Sequence, residues 1–102
     1  MKIKISKKKD TDIVKLIKRC GYAEFRDRQS GQTSFTHRLG PYFYPRFHLY
    51  INRETAKEII LTLHLDQKRP SYDGCPAHSG EYDGELVEKE AERIKNYIEN
   101  EK

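Results

Sequence analysis

A chain of 102 residues that is 35% hydrophobic and 35% charged has enough apolar surface for one modest core and not for two, so residues 1–102 form a single domain. No apolar run approaches the ~20 residues needed to cross a bilayer. The basic start MKIKISKKKD lacks the apolar stretch of a secretory leader, and a cytoplasmic protein is expected.

Net charge is +4 with a pI near 9.1, and it is unevenly spread. Eight Lys/Arg fall in the first nineteen residues, and eight Asp/Glu fall from Glu81 onward against four Lys/Arg. Such polarity suits an anionic partner at one end or intramolecular complementarity between the two ends.

Residues 1–9 alternate Lys2/Lys4 with Ile3/Ile5 and read as a basic edge strand or arm. Asp10 or Thr11 then offers an N-cap for a helix whose stripe is Ile13, Val14, Leu16, Ile17 and Cys20. Gly21 is placed to take the left-handed position that ends it. Tyr22–Asp27 and Thr33–Arg38, separated by the turn residues 28–32, predict a hairpin. Leu39–Pro45 is an aromatic-rich loop.

Two strands follow with strict alternation. One sets Phe47, Leu49 and Ile51 against His48 and Tyr50; the other sets Ile59, Leu61, Leu63 and Leu65 against Ile60, Thr62, His64 and Asp66. Their connection, Asn52–Lys57, is too short for a crossover, even with a helical turn at 53–57, so the two strands pair antiparallel. Residues 67–83 hold two prolines and two Tyr-Asp-Gly echoes (72–74 and 82–84) and predict a long ordered loop. Asp83 can cap a final helix with Val87, Ala91, Ile94 and Ile98 on one stripe. The fold class is α+β, a two-layer sandwich: an antiparallel sheet of about four strands with an N-terminal and a C-terminal helix on one face. The opposite face is left open.

That open face carries the candidate chemistry. If the two alternating strands pair, His48 and His64 share it, with Asp66 two residues beyond His64 to orient an imidazole. His48, His64, Asp66 and His78 are the acid–base candidates. Tyr50, Arg46, Lys68, Arg69, Tyr72 and Glu81 surround them as substrate-binding candidates, the cations suited to a phosphate. Phosphoester- or RNA-directed chemistry is the leading expectation. No P-loop, nucleophile elbow or H-E-x-x-H run is present, and the plain alternative is that the histidines are partly exposed strand residues satisfied by neighbouring polar groups.

A zinc module is a second reading. Cys75-x-x-His78 is a short chelating pair that His48, His64 or Asp66 would complete. A disulfide between Cys20 and Cys75 is not expected in a reducing compartment. Non-catalytic binding of RNA or protein is a third reading. Tyr22, Phe25, Tyr42, Phe43, Tyr44 and Tyr50 interleave with Arg26, Arg28, Arg38, Arg46 and Arg53, the mix that stacks bases and holds phosphates. The polar face or the first strand would also serve a homodimer.

The run from Asp12 to Tyr22 (DIVKLIKRCGY), with the Arg/Gln/Ser/Gly turn and strand after it, resembles the opening of HicA-like mRNA interferase toxins. The resemblance implies a small basic protein with a layout similar to double-stranded-RNA-binding domains. That family places its catalytic histidine in a Gly-Ser-His run; here the matching stretch is Gly31-Gln32-Thr33-Ser34, and no catalytic residue carries over. His37 comes later in the same strand. The segments around HLDQK (64–68) and AHSGEYDGE (77–85) resemble those of short uncharacterised prokaryotic proteins, which implies no activity.

Overall fold

A computed structural model describes residues 1–8, 10–42, 44–68, 78–81 and 84–100, with Lys68 and 78–81 described in their backbone. In chain order the elements are β1 (Lys2–Ser6), α1 (Ile13–Arg19), β2 (Ala23–Arg26), β3 (Thr33–Arg38), β4 (Arg46–Glu54), β5 (Glu58–Lys68), β6 (His78–Glu81) and α2 (Glu85–Asn100). The fold is α+β, as the two periodicities predict, with every strand pair antiparallel.

The sheet runs β1-β5-β4-β3-β2, and β6 also pairs with β5. β5 is eleven residues long, long enough for β1 to occupy Glu58–Thr62 and β6 to occupy Leu65–Lys68. Among the described residues the sheet therefore has six strands in place of about four. Two of them come from segments with weak local signals. The basic start is an edge strand, and the end of the stretch read as a loop over 67–83 is β6. The rest of that stretch, with Tyr72, Cys75 and Asp83, lies outside the described residues, as do Phe43 and Arg69.

One face of the sheet is the core. Ile3, Ile5, Phe35, Phe47, Leu49, Ile59, Leu61, Leu63 and Leu65 are buried with Ile13, Leu16 and Ile17 of α1 and Val87, Ala91, Ile94 and Ile98 of α2. Each strand residue in that set obeys the period of two, and each helix residue lies on one stripe. α2 packs on β1 and β5, and α1 leans on α2.

α1 is capped by Asp12, whose side chain accepts from the Lys15 N–H, one or two residues later than the expected Thr11 or Asp10. Those two residues belong to a preceding turn, in which Thr11 bonds back to Lys8. Gly21 follows with φ +104°, the left-handed conformation that glycine adopts without a Cβ clash. Between β4 and β5 there is no helical turn. Thr55 closes a tight connection by bonding Glu58, and Asn52 is the extra residue where the register shifts between Ile51 and Arg53.

The basic start is partly answered within the chain. Lys8 Nζ donates to the Glu99 carbonyl, and the Ser6 N–H to the Glu99 carboxylate. Lys7 and Lys4 pair with Glu54 and Glu58. No helix among the described residues is long and apolar enough to cross a membrane.

Candidate functional site

The β4–β5 register places His48 directly opposite His64, Arg46 opposite Asp66, and Tyr50 opposite Thr62. The two histidines that the alternation puts on one face thus become cross-strand neighbours. β3 sets Thr36 opposite His48, which brings Ser34 to a diagonal position on the same face.

Asp66 is the hub. Its Oδ2 lies 2.9 Å from His48 Nδ1 and its Oδ1 2.6 Å from His64 Nε2, while Arg46 Nε stands 3.3 Å from Oδ2. On the far side of its ring, His48 Nε2 lies 2.7 Å from Ser34 Oγ. The Tyr50 hydroxyl is 3.3 Å from His48 Nδ1. Its ring stacks on both imidazoles, with centroids 4.4 Å from His48 and 5.7 Å from His64.

These groups are not on an open face. Ser34 and Asp66 are 3% exposed, Arg46 6%, and His48 and His64 8%. The histidines are satisfied by neighbouring polar groups, but they are not partly exposed, because aromatic side chains lie over this part of the sheet. Tyr50 covers the imidazoles, and the Arg46 guanidinium sits 5.5 Å from the Phe25 ring centroid and 4.8 Å from that of Tyr44. An apolar face is thereby removed from water on one side of the sheet, and a polar network with its own roof on the other.

Burial by itself raises the Asp66 pKa; the hydrogen bonds from His48 and His64, and the charges those rings carry when protonated, outweigh it. They hold the carboxyl far below the usual carboxylate range, so Asp66 is ionised and accepts only. That fixes the protons around it. For neutral rings, His48 carries its hydrogen on Nδ1 and donates to Oδ2, and His64 carries its own on Nε2 and donates to Oδ1. His48 Nε2 is then a lone-pair acceptor, and the 2.7 Å contact requires the Ser34 hydroxyl to donate to it.

Of the substrate-binding candidates, Arg46 is drawn into the network and balances Asp66, and Tyr50 is its cover. Lys68 stands in backbone register opposite His78, two pairs beyond Asp66–Gly80, and Glu81 opposite Leu65. Tyr72 and Cys75 lie outside the described residues. The ring nitrogens of His48 and His64 and a carboxylate oxygen of Asp66 all lie within 4.8 Å of one another, a spacing that a divalent cation can bridge. Among the aromatic candidates, Tyr22 is 3% exposed and donates its hydroxyl to Glu90, so it is a core residue and not a base-stacking platform. Phe25 and Tyr42 are exposed.

Ser34 is the site residue missing from the sequence reading. The strand that carries it is plain in the alternation of 33–38, but its contact with His48 depends on the β3–β4 register, which local pattern does not contain.

No protein-family model matches the chain, and no curated protein or solved structure matches it either, so the reading of this site rests on its residues alone.

Proposed function

We propose that this protein carries a phosphoester-directed acid–base activity, RNA being one such substrate, with His48 and His64 exchanging protons and Asp66 orienting both. One observation carries the reading. A single buried carboxylate holds one ring nitrogen from each of two imidazoles that face each other across paired strands. Imidazole titrates nearest neutrality of all side chains, and two of them, positioned by one anion, form the pair that proton transfer to and from a phosphoester requires. The chain's positive net charge favours an anionic substrate.

The test is turnover of bis(4-nitrophenyl) phosphate, 4-nitrophenyl phosphate and labelled single-stranded RNA by the wild type and by His48→Ala and His64→Ala. Loss of one acid–base group costs about 10²- to 10⁴-fold. Folded variants that turn over as fast as the wild type would sink the assignment.

Metal binding is the second reading, favoured by the spacing of His48, His64 and Asp66 and by the Ser34 bond to the outer nitrogen of His48, the kind of contact that orients a metal-bound imidazole. Against it, the Arg46 guanidinium already neutralises the same carboxylate, and the 2.6 and 2.9 Å contacts are hydrogen-bond lengths. Zinc titration followed by calorimetry separates the two: micromolar or tighter binding that His48→Ala abolishes would favour the metal.

A further inference from the structure

We propose that Ser34 is a nucleophile, activated by His48 and Asp66, that forms a covalent phosphoserine intermediate. This deepens the phosphoester reading and rests on it for the substrate class. The geometry has three links in the order that nucleophile activation needs. The Ser34 hydroxyl donates to His48 Nε2 at 2.7 Å, His48 Nδ1–H donates to Asp66 Oδ2 at 2.9 Å, and Asp66 is held ionised by its other partners. With His48 neutral, its one ring hydrogen goes to the ionised Asp66, and the lone pair that remains on Nε2 faces the hydroxyl.

Two further features fit. Arg46 and His64 hold Asp66 from two other sides, so the carboxylate that orients His48 is itself fixed. Ser34 is opposite Phe25 in register, and Phe25 is 40% exposed on a four-residue edge strand exposed along its whole length. Ser34 is therefore next to the most exposed of the strands whose burial is described.

In the first step Ser34 Oγ bonds to phosphorus as the bond from phosphorus to the leaving oxygen breaks. The serine proton passes to His48 Nε2 and on to the leaving alcohol. In the second step water gives a proton to His48 Nε2 and bonds to phosphorus. The phosphorus–Oγ bond breaks, and the proton returns to Ser34. The sum is one phosphoester and one water giving one alcohol and one phosphate, with no oxidant or reductant.

Diisopropyl fluorophosphate tests the step directly, since attack by Oγ releases fluoride and leaves a phosphoryl group on the serine. Intact-mass and peptide mass spectrometry of the folded wild type should find one adduct, on Ser34. His48→Gln, which keeps a hydrogen-bonding side chain but no base, should slow labelling by at least ~100-fold while its circular dichroism matches the wild type. An unmodified Ser34 in folded protein, or labelling of equal rate in His48→Gln, overturns the proposal.

The two readings fail separately. If Ser34→Ala keeps the phosphodiester turnover that His48→Ala loses, the nucleophile is wrong and the acid–base pair stands. If Ser34 takes the adduct but none of the phosphoesters is cleaved, the nucleophile stands and the substrate class is wrong.

Discussion

Among the described residues two carboxylates are buried, and their partners differ. Glu90 of α2 accepts from the Tyr22 hydroxyl at 2.6 Å and from both Nε and Nη2 of Arg93 at 2.8 Å; Arg93 also donates to the Cys20 carbonyl. The result is a clasp between the end of α1 and α2. Asp66, on the other side of the sheet, is held by two imidazoles and an arginine. Burial pushes Glu90 upward in pKa, but Arg93 and Tyr22 overcome it and lower it, and burial together with Glu90 drives Tyr22 far above its ordinary range. The hydrogen-bond partners of Glu90, Tyr22 and Arg93, do not exchange a proton near neutrality, which suits a joint, and His37 acts on it only through its charge. Around Asp66 two partners are of the one side-chain type that does. Both sites solve the same desolvation problem, and only one of them does so with mobile protons.

The largest effect should come from removing Asp66. Asp66→Ala leaves the Arg46 guanidinium buried without this anion and takes an acceptor from both histidines. Breaking one side of a buried pair costs about 3–5 kcal/mol, a large part of the ~5–15 kcal/mol that holds a domain together. Urea unfolding followed by circular dichroism measures it. A loss under about 1 kcal/mol would mean that the network contributes little to stability.

Glu90→Ala should cost less, about 1–3 kcal/mol, chiefly because Tyr22 is left with a buried, unpaired hydroxyl. The Arg93 side chain is 45% exposed and returns to water, where surface pairs are worth little. Adding Tyr22→Phe to Glu90→Ala should recover part of the loss. Acid sharpens the point. Glu90 has a lowered pKa in the folded protein, so its contribution is full above the unfolded value of about 4.3 and is lost as pH falls through the folded one. The stability gap between wild type and Glu90→Gln, measured by urea titration from pH 7 down to pH 3, should therefore narrow below about pH 4.3. A gap constant over that range would show that Glu90 does not gain from its charge.

What could be read from the sequence divides along the same line. Period-two alternation in 47–51 and 59–66 places His48, His64 and Asp66 on one face, and the stripe Val87, Ala91, Ile94, Ile98 gives the buried side of α2. Those are local patterns, and they survive folding. The roof over the histidines, the Ser34 contact and β6 depend on which strands are neighbours, and no local pattern carries that. Arg46 reads as a rim cation in sequence because a charged side chain is assumed to be solvated; opposite Asp66 it is not. Glu90 counts as one of many acidic residues in the last helix, yet it lies three residues after Val87 and four before Ile94, on the buried stripe. A charge at that spacing is a detectable signal of a buried partner, which Tyr22, sixty-eight positions away, supplies.

The smallest effects test whether the two clusters are independent. Tyr22→Phe removes one hydroxyl while the ring still fills its core position and Arg93 still holds Glu90, so about 0.5–1.5 kcal/mol is expected. Ser34→Ala removes one hydroxyl from the opposite face and should cost about the same. The clusters share no partner and have the sheet between them, so in the double variant the two losses should add to within about 0.5 kcal/mol. Ser34→Ala combined with Asp66→Ala should not add, because both act through His48: once the carboxylate is gone, the ring is free to turn, and the serine bond has less left to hold. Additivity in that second pair would mean that the serine, the imidazole and the carboxylate are three separate contacts and not one relay.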